Sequence, residues 1–79
     1  MNSAKYYHRI IRLNVARYRR EQGFTQAELA ERLGMSVSYI GHIEAENSRS
    51  FPTLDTLISI AGALDIPLYL LFVREEDCV

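Results

Sequence analysis

The stretch Thr25–Glu44, TQAELAERLGMSVSYIGHIE, contains the signals for two short helices joined by a tight turn. Thr25 and Glu28 have the Thr-x-x-Glu spacing of a capping box, which starts a helix. Gly34 comes where that helix can end in the left-handed conformation that glycine adopts at little cost. Ser36 can then cap a second helix. Because apolar residues recur on one face of each segment, the stretch predicts a helix-turn-helix.

The flanking sequence predicts three further helices and no strand. Helix 1 should run from about Lys5 to Gln22 and end at Gly23. Pro52 and Thr53 should begin helix 4, and Pro67 should begin a short fifth helix. The buried stripe of helix 4 is predicted to be Leu54, Leu57, Ile58, Ala61 and Leu64. The chain is therefore predicted to be a single all-α domain of five helices, with a loose tail after residue 73.

Composition argues against several classes of protein. The chain has 79 residues, and its lone cysteine, Cys78, cannot form an intramolecular disulfide, which favours the cytoplasm. No run of 18 apolar residues and no signal peptide is recognisable, so no membrane association is predicted. His8 and His42 are the only histidines, and no glycine-rich phosphate loop or nucleophilic triad stands out. We therefore expect no metal, no cofactor and no enzymatic activity.

Charge is distributed unevenly along the chain. The net charge is −1, but residues 1–49 hold eight basic and five acidic side chains, whereas residues 50–79 hold one basic and five acidic ones. The segment from Lys5 to Arg20 holds six basic residues and no acidic one. A basic face on the first helix and the helix-turn-helix half would suit a polyanion, with the acidic remainder turned away or toward another protein.

Five residues of the opening stretch fit the pattern of a known family: Gln26, Ala30, Gly34, Ile40 and Ile43. Together with both flanks, they resemble the Cro/phage-repressor (XRE) helix-turn-helix family over about residues 9–72. The resemblance implies a five-helix, lambda-repressor-like DNA-binding domain and a transcription regulator that binds an inverted-repeat operator as a homodimer. The restriction–modification controllers are one subgroup of this size within the resembled family, and no motif in the sequence singles that subgroup out. The connection 45–51 departs from the family in being longer and in lacking glycine.

Helix 3 would be the recognition helix, which enters the major groove of double-stranded DNA in this motif. With Ile40 and Ile43 turned inward, its outward residues would read base edges, and polar residues around it would contact phosphates. The predicted base-reading residues are Val37, Ser38, Gly41 and His42. The predicted phosphate contacts are Thr25, Gln26, Ser36, Tyr39, Asn47, Ser48 and Arg49. Tyr39 has an equal alternative role in packing against helix 2.

The resemblance also implies two structural contacts. Arg19 and Glu44 stand where the family often has a partly buried salt bridge between helix 1 and helix 3. The apolar fifth helix would form the two-fold dimer contact, unless it only closes the core. The predicted dimer residues are Ile66, Leu68, Tyr69, Phe72 and Val73. Two alternative functions stay open: an antitoxin that binds DNA and a toxin, and a protein–protein adapter that has no operator.

Overall fold

In the computed structural model, which describes residues 3–77, four α-helices surround one core. They are α1 (Ala4–Glu21), α2 (Gln26–Leu33), α3 (Val37–Glu44) and α4 (Leu54–Ala63). Two 3-10 helices follow, Leu68–Phe72 and Glu75–Asp77, and no strand occurs in this part of the chain. The predicted all-α class is confirmed. The prediction for Cys78 lies outside the described residues.

The helix ends form where the sequence places their signals. Thr25 and Glu28 make both bonds of the capping box, and the Ser36 and Thr53 side chains accept backbone N–H groups at the starts of α3 and α4. Gly34 ends α2 at a φ of 67°, in the left-handed region. Because the next N–H reaches back to the Ala30 carbonyl at 2.9 Å, the chain reverses tightly into α3. The helix-turn-helix is thus set by local bonds.

The core draws buried residues from all four α-helices and from the 3-10 helix Leu68–Phe72. The residues that are at most 2% exposed are Ile11, Val15, Leu29, Ala30, Ile40, Ile43, Ile60, Leu64 and Leu71. Side chains from both halves of the helix-turn-helix and from the C-terminal 3-10 helix meet in this cluster. The helix-turn-helix is therefore fixed against α1 and cannot move as a separate hairpin.

The predicted stripe of α4 is partly wrong. Leu57, Ala61 and Leu64 are buried, but Leu54 is 57% exposed and Ile58 is 50% exposed. The core uses Ile60 instead, which completes an i, i+3, i+4, i+7 pattern from Leu57. Since each residue turns a helix by about 100°, Ile58 points well away from that stripe. Because α4 has apolar residues on more than one face, its sequence alone did not show which of them would be buried.

The C-terminal prediction needs two corrections. The fifth helix is a 3-10 helix of five residues rather than an α-helix, as is common for such short segments. The Asn14 amide donates to its Leu70 and Leu71 carbonyls. The tail is also less loose than predicted. Asp77 accepts hydrogen bonds from the Arg74 guanidinium, at 2.9 Å to Nε, and this bond raises the pKa of Arg74.

The described residues contain no helix that combines the length and the apolar character needed to cross a membrane.

Candidate nucleic-acid interface

The structure brings the predicted base-reading residues together on one face of α3. Ile40 and Ile43 are at most 1% exposed and hold the opposite face against the core. Val37 is 48% exposed, and Ser38 and His42 are also exposed. Gly41 is half-buried on the same helix, where an added Cβ would meet only the Gln26 Oε1 atom, at an ordinary 3.9 Å. The exposed face of α3 is therefore uneven and mostly uncharged.

A buried polar network braces α3 from behind. Arg19 donates from Nε to Glu44 Oε2 at 2.7 Å and from Nη2 to Oε1 at 3.1 Å. The predicted Arg19–Glu44 salt bridge is confirmed, with side-chain exposures of 11% and 7%. Gln26 adds a bond from Nε2 to Glu44 Oε1 at 3.0 Å, and Arg19 also reaches the Phe24 carbonyl at 2.7 Å. One carboxylate thus joins the ends of α1 and α3 to the start of α2.

Besides Gln26, three of the predicted phosphate contacts already have structural roles. The hydroxyl oxygens of Thr25 and Ser36 accept backbone N–H groups three residues ahead, both at 3.0 Å. Both side chains remain exposed, and the Ser36 hydroxyl hydrogen can still be donated to another group. Tyr39 is half-buried and packs against the core. The capping-box hydrogen bonds from the Thr25 backbone and side chain lower the pKa of Glu28.

Arg12 is the important residue that the sequence did not reveal. It is only 4% exposed, and its guanidinium donates to four backbone carbonyl groups instead of a carboxylate. Two of these belong to His42 and Ile43 in the last turn of α3, at 2.8 and 3.0 Å from Nη1. The others belong to Ser48 and Ser50, at 3.1 and 2.6 Å from Nη2. The absence of a helix-ending glycine after Glu44 was the only hint that these carbonyls need an outside donor.

The connection after α3, residues 45–51, is held against the N-terminal half of α1. The His8 and Phe51 rings stack with centroids 3.7 Å apart and an interplanar angle of 5°. Arg9 pairs with Glu46 at 2.6 Å on the exposed side. The three predicted phosphate contacts here differ in exposure: Asn47 and Arg49 are exposed, and Ser48 is half-buried. Although its sequence is polar, the connection is therefore held in a defined conformation by contacts with α1.

These contacts correct the predicted basic face. Arg12 and Arg19 lie inside the molecule and bind protein groups, so only part of the basic N-terminal segment faces outward. Arg17 pairs with Glu21 at 3.2 Å. Lys5 and Arg20 are exposed on α1. The positive charge available to a polyanion is therefore smaller than the sequence suggested.

The predicted dimer residues divide into two groups. Ile66 and Leu68 pack against the core, and Val73 is half-buried. Tyr69 and Phe72 are 65% and 38% exposed. Asn14, which the sequence analysis also missed, fixes this segment from the core side. It donates to the carbonyls of Leu70, Leu71 and Val73 at 3.3, 2.8 and 2.8 Å.

Among residues 3–77, no three His, Cys, Asp or Glu side chains are grouped as a metal site would need. The chemistry that this surface offers consists of hydrogen-bond donors, apolar contacts and a few positive charges.

Comparison with known proteins identifies the family. A family described as "Helix-turn-helix" matches residues 15–71. The transcriptional regulator SinR of Bacillus subtilis is 32% identical over 63 residues, which are 80% of this chain and 56% of SinR. The immunity repressor protein of Bacillus phage phi105 is 46% identical over 61 residues, which are 77% of this chain and 40% of the repressor.

A solved structure described as the biofilm regulator SinR in complex with DNA superposes with a TM-score of 0.71 at 32% identity. The match covers 80% of this chain and 98% of that one. The chain spans little more than half the length of SinR itself. The family match, the two relatives and the capped helix pair agree, and the chain belongs to the Cro/phage-repressor (XRE) helix-turn-helix family.

Proposed function

We propose that this protein is a sequence-specific, double-stranded DNA-binding transcription regulator that inserts α3 into the major groove. The observation that carries the proposal is the contrast between the two faces of α3. The inner face is locked by Ile40, Ile43 and the Glu44 network, whereas the outer face exposes Val37, Ser38 and His42. A helix that is rigidly held and open on one side can read base edges without a large ordering cost.

The outward side chains suggest how bases would be read. Val37 can contact a thymine methyl group, and His42 can donate to a guanine acceptor. Ser38 can donate or accept, and Gly41 lets a base edge come close to the helix backbone. None of them forms the bidentate pair that arginine makes with guanine. Specificity would then come from several modest contacts and from groove shape.

Phosphate contacts would surround this face. Thr25, Gln26 and Ser36 lie at the starts of α2 and α3, where the positive helix-dipole ends favour an anion. Asn47, Ser48 and Arg49 would supply a second group from the loop that follows α3, with Tyr39 as a further donor. Such contacts fix the position of the protein on the duplex but carry no sequence information themselves.

A homodimer would place two copies of α3 in successive major grooves about one helical turn apart, so the operator would be an inverted repeat. Tyr69 and Phe72 support a self-association surface because both are large, apolar and exposed beside core residues. A dimer on promoter DNA would repress by occluding polymerase. A DNA ligand would also place the protein in the cytoplasm.

The proposal is tested by selecting bound duplexes from a random DNA library and sequencing them. A two-fold symmetric motif is expected, with binding that weakens as salt rises. Ser38→Ala and His42→Ala should each change the preferred base at one position, while Ser59→Ala, at an exposed position of α4, should leave the motif unchanged. No enriched motif at moderate salt would overturn the proposal.

One observation favours a second candidate, a protein adapter on the same fold. The exposed Tyr69 and Phe72 would suit a protein partner as well as a second copy. The same selection separates the two functions, because an adapter would enrich no symmetric motif. An antitoxin would enrich a motif and also bind a second protein, so it is compatible with the main proposal.

A further inference from the structure

We propose that Arg12 is a positioning residue for DNA binding. Its guanidinium holds residues 45–51 in the shape that presents Asn47, Ser48 and Arg49 to phosphate. The inference rests on the proposed function and deepens it, because it names the group that organises part of the binding surface without touching the ligand.

The first argument is the number and direction of the Arg12 bonds. Four carbonyl oxygens lie within 2.6 to 3.1 Å of its two terminal nitrogens. Guanidinium N–H groups project in a fixed planar fork, so the four oxygens must keep their relative positions for all the bonds to form. Two of them belong to α3 and two to the loop after it. A single side chain therefore fixes the loop relative to the recognition helix.

The second argument concerns charge. At 4% exposure, Arg12 is too buried to serve as a surface charge for a polyanion. Its charge faces the carbonyl end of α3, where the helix dipole is negative and the last carbonyls lack N–H donors within the helix. Arg12 therefore extends the C-terminal cap of α3, where the Ala45 N–H already donates to the His42 carbonyl at 3.3 Å. Removal would leave the buried Ile43 carbonyl and the partly buried Ser48 and Ser50 carbonyls without the Arg12 donor, so the loop would have to rearrange toward water.

The third argument is that neighbouring contacts act on the same loop. Phe51 stacks on His8 and lies 5.2 Å from the Arg12 guanidinium, and Glu46 pairs with Arg9. His8, Arg9 and Arg12 lie within about one turn of α1, so this helix holds both ends of the loop. Inside the loop, the Ser50 N–H donates to Ser48 Oγ at 3.2 Å, which leaves the Ser48 hydroxyl hydrogen free to point toward a phosphate.

The loop is thus ordered before DNA arrives. Pre-ordering spares the entropy that would otherwise be lost on binding, and it holds the loop donors in register with α3. A lysine at position 12 would keep the charge but could not span four carbonyls, because an ammonium has three donors on one nitrogen. Arg12→Lys therefore separates geometry from charge.

The chain offers a matched control in Asn14. This side chain is 3% exposed, also belongs to α1 and also donates to backbone carbonyls, but those carbonyls lie in residues 70–73. Asn14→Ala should destabilise the protein without changing the loop. If Arg12 matters only for overall stability, the two variants should behave alike once both are folded.

The experiment measures affinity for the selected operator as a function of salt, at a temperature where circular dichroism shows each variant to be folded. We expect Arg12→Lys to lower the affinity about tenfold or more. The slope of log K against log salt should become shallower by about 0.9 for each phosphate that the variant no longer neutralises. Asn14→Ala should keep the wild-type affinity and slope.

A double-mutant cycle gives a readout that a purely structural role would not change. If Arg12 acts through the loop contacts, Arg12→Lys should cost much less affinity in an Arg49→Ala background. Should Arg12→Lys fail to fold, Arg12→Gln replaces it in the same cycle, because an amide has only two N–H donors and cannot serve all four carbonyls.

The outcomes separate this inference from the proposed function. If the wild-type protein selects no operator, the proposed function fails and Arg12 has no binding to position. If the wild-type protein binds its operator and Arg12→Lys keeps both affinity and salt slope, only the Arg12 inference is overturned. The same follows if the costs of the two substitutions are simply additive.

Discussion

Two surfaces of the molecule are attached to α1 by different chemistry. The proposed recognition side consists of α2, α3 and residues 45–51, and the C-terminal side consists of residues 66–73. On the recognition side, Arg12 and Arg19 use charged groups to bind four carbonyls and a nearly buried carboxylate. On the C-terminal side, the neutral Asn14 amide binds three carbonyls, and the fully buried Leu71 supplies apolar contact. Charged and neutral anchors lie only two residues apart in α1.

The difference fits the function that is proposed for each side. Charge-assisted hydrogen bonds are strong and directional, so they fix the orientation of α3 and its loop. Apolar packing is not directional, and the C-terminal side leaves Tyr69 and Phe72 exposed. A surface that matches a rigid DNA groove must hold its contact residues in a fixed orientation. A surface that meets a flexible protein partner needs exposed apolar area and firm attachment.

The largest expected effect on stability tests the salt bridge between Arg19 and Glu44. Glu44→Ala would leave the Arg19 guanidinium without its carboxylate, and we expect a loss of about 3–5 kcal/mol in the free energy of unfolding. Glu46→Ala is the matched control, because its ion pair with Arg9 is as short but 63% to 66% exposed. It should cost at most about 1 kcal/mol. Urea titration of both variants measures the difference, and equal losses would show that burial does not set the strength of these pairs.

The next effect concerns the C-terminal side. Leu71→Ala should cost about 2–5 kcal/mol, because it opens a cavity at a position with 0% exposure. Tyr69→Ser, two residues earlier, should leave the stability of the monomer within about 0.5 kcal/mol. It should, however, weaken the proposed dimer in analytical ultracentrifugation. A Tyr69→Ser protein that dimerises like the wild type would remove this residue from the association surface.

The sequence predicted the helix-turn-helix well because its signals act over three to five residues. The Thr25 capping box, the Gly34 reversal and the Ser36 cap each form with close neighbours in the chain, and the structure contains all three. The Arg19–Glu44 bridge spans 25 residues and was still predicted, but only through a family resemblance. Local chemistry alone did not reveal it.

The sequence could not predict features that depend on how the helices and loops pack against one another. Ile58 and Ile60 look equally apolar, and only the placement of α4 buries Ile60 and exposes Ile58. Arg12 resembles the basic residues around it, and its four acceptors are backbone carbonyls, which have no signature in side-chain sequence. The same reason hid Asn14. The assignment of individual residues to DNA contact stays a prediction.

A smaller, opposite effect is expected from two glycines. Gly41→Ala and Gly62→Ala each add a methyl group to a helix without a close contact, so each should stabilise the protein by up to about 1 kcal/mol. Only Gly41 lies on α3, the proposed recognition helix. Gly41→Ala should therefore weaken operator binding while Gly62→Ala does not, as thermal melts and binding titrations would show. Equal binding by both variants would argue that no base edge comes close to Gly41.

The smallest expected effect lies at the start of α2. Hydrogen bonds from Thr25 lower the pKa of Glu28 below its ordinary value of 4.5, so the ionised carboxylate stabilises the folded state. This contribution is fully present above pH 4.5 and is lost as the pH falls through the lowered folded value. Wild type and Glu28→Gln should thus differ in unfolding free energy at neutral pH and converge in acid. Because Glu28 helps to shape only the recognition side, amide exchange in residues 68–73 should be the same in both proteins, and a difference there would show that the two sides of α1 are coupled.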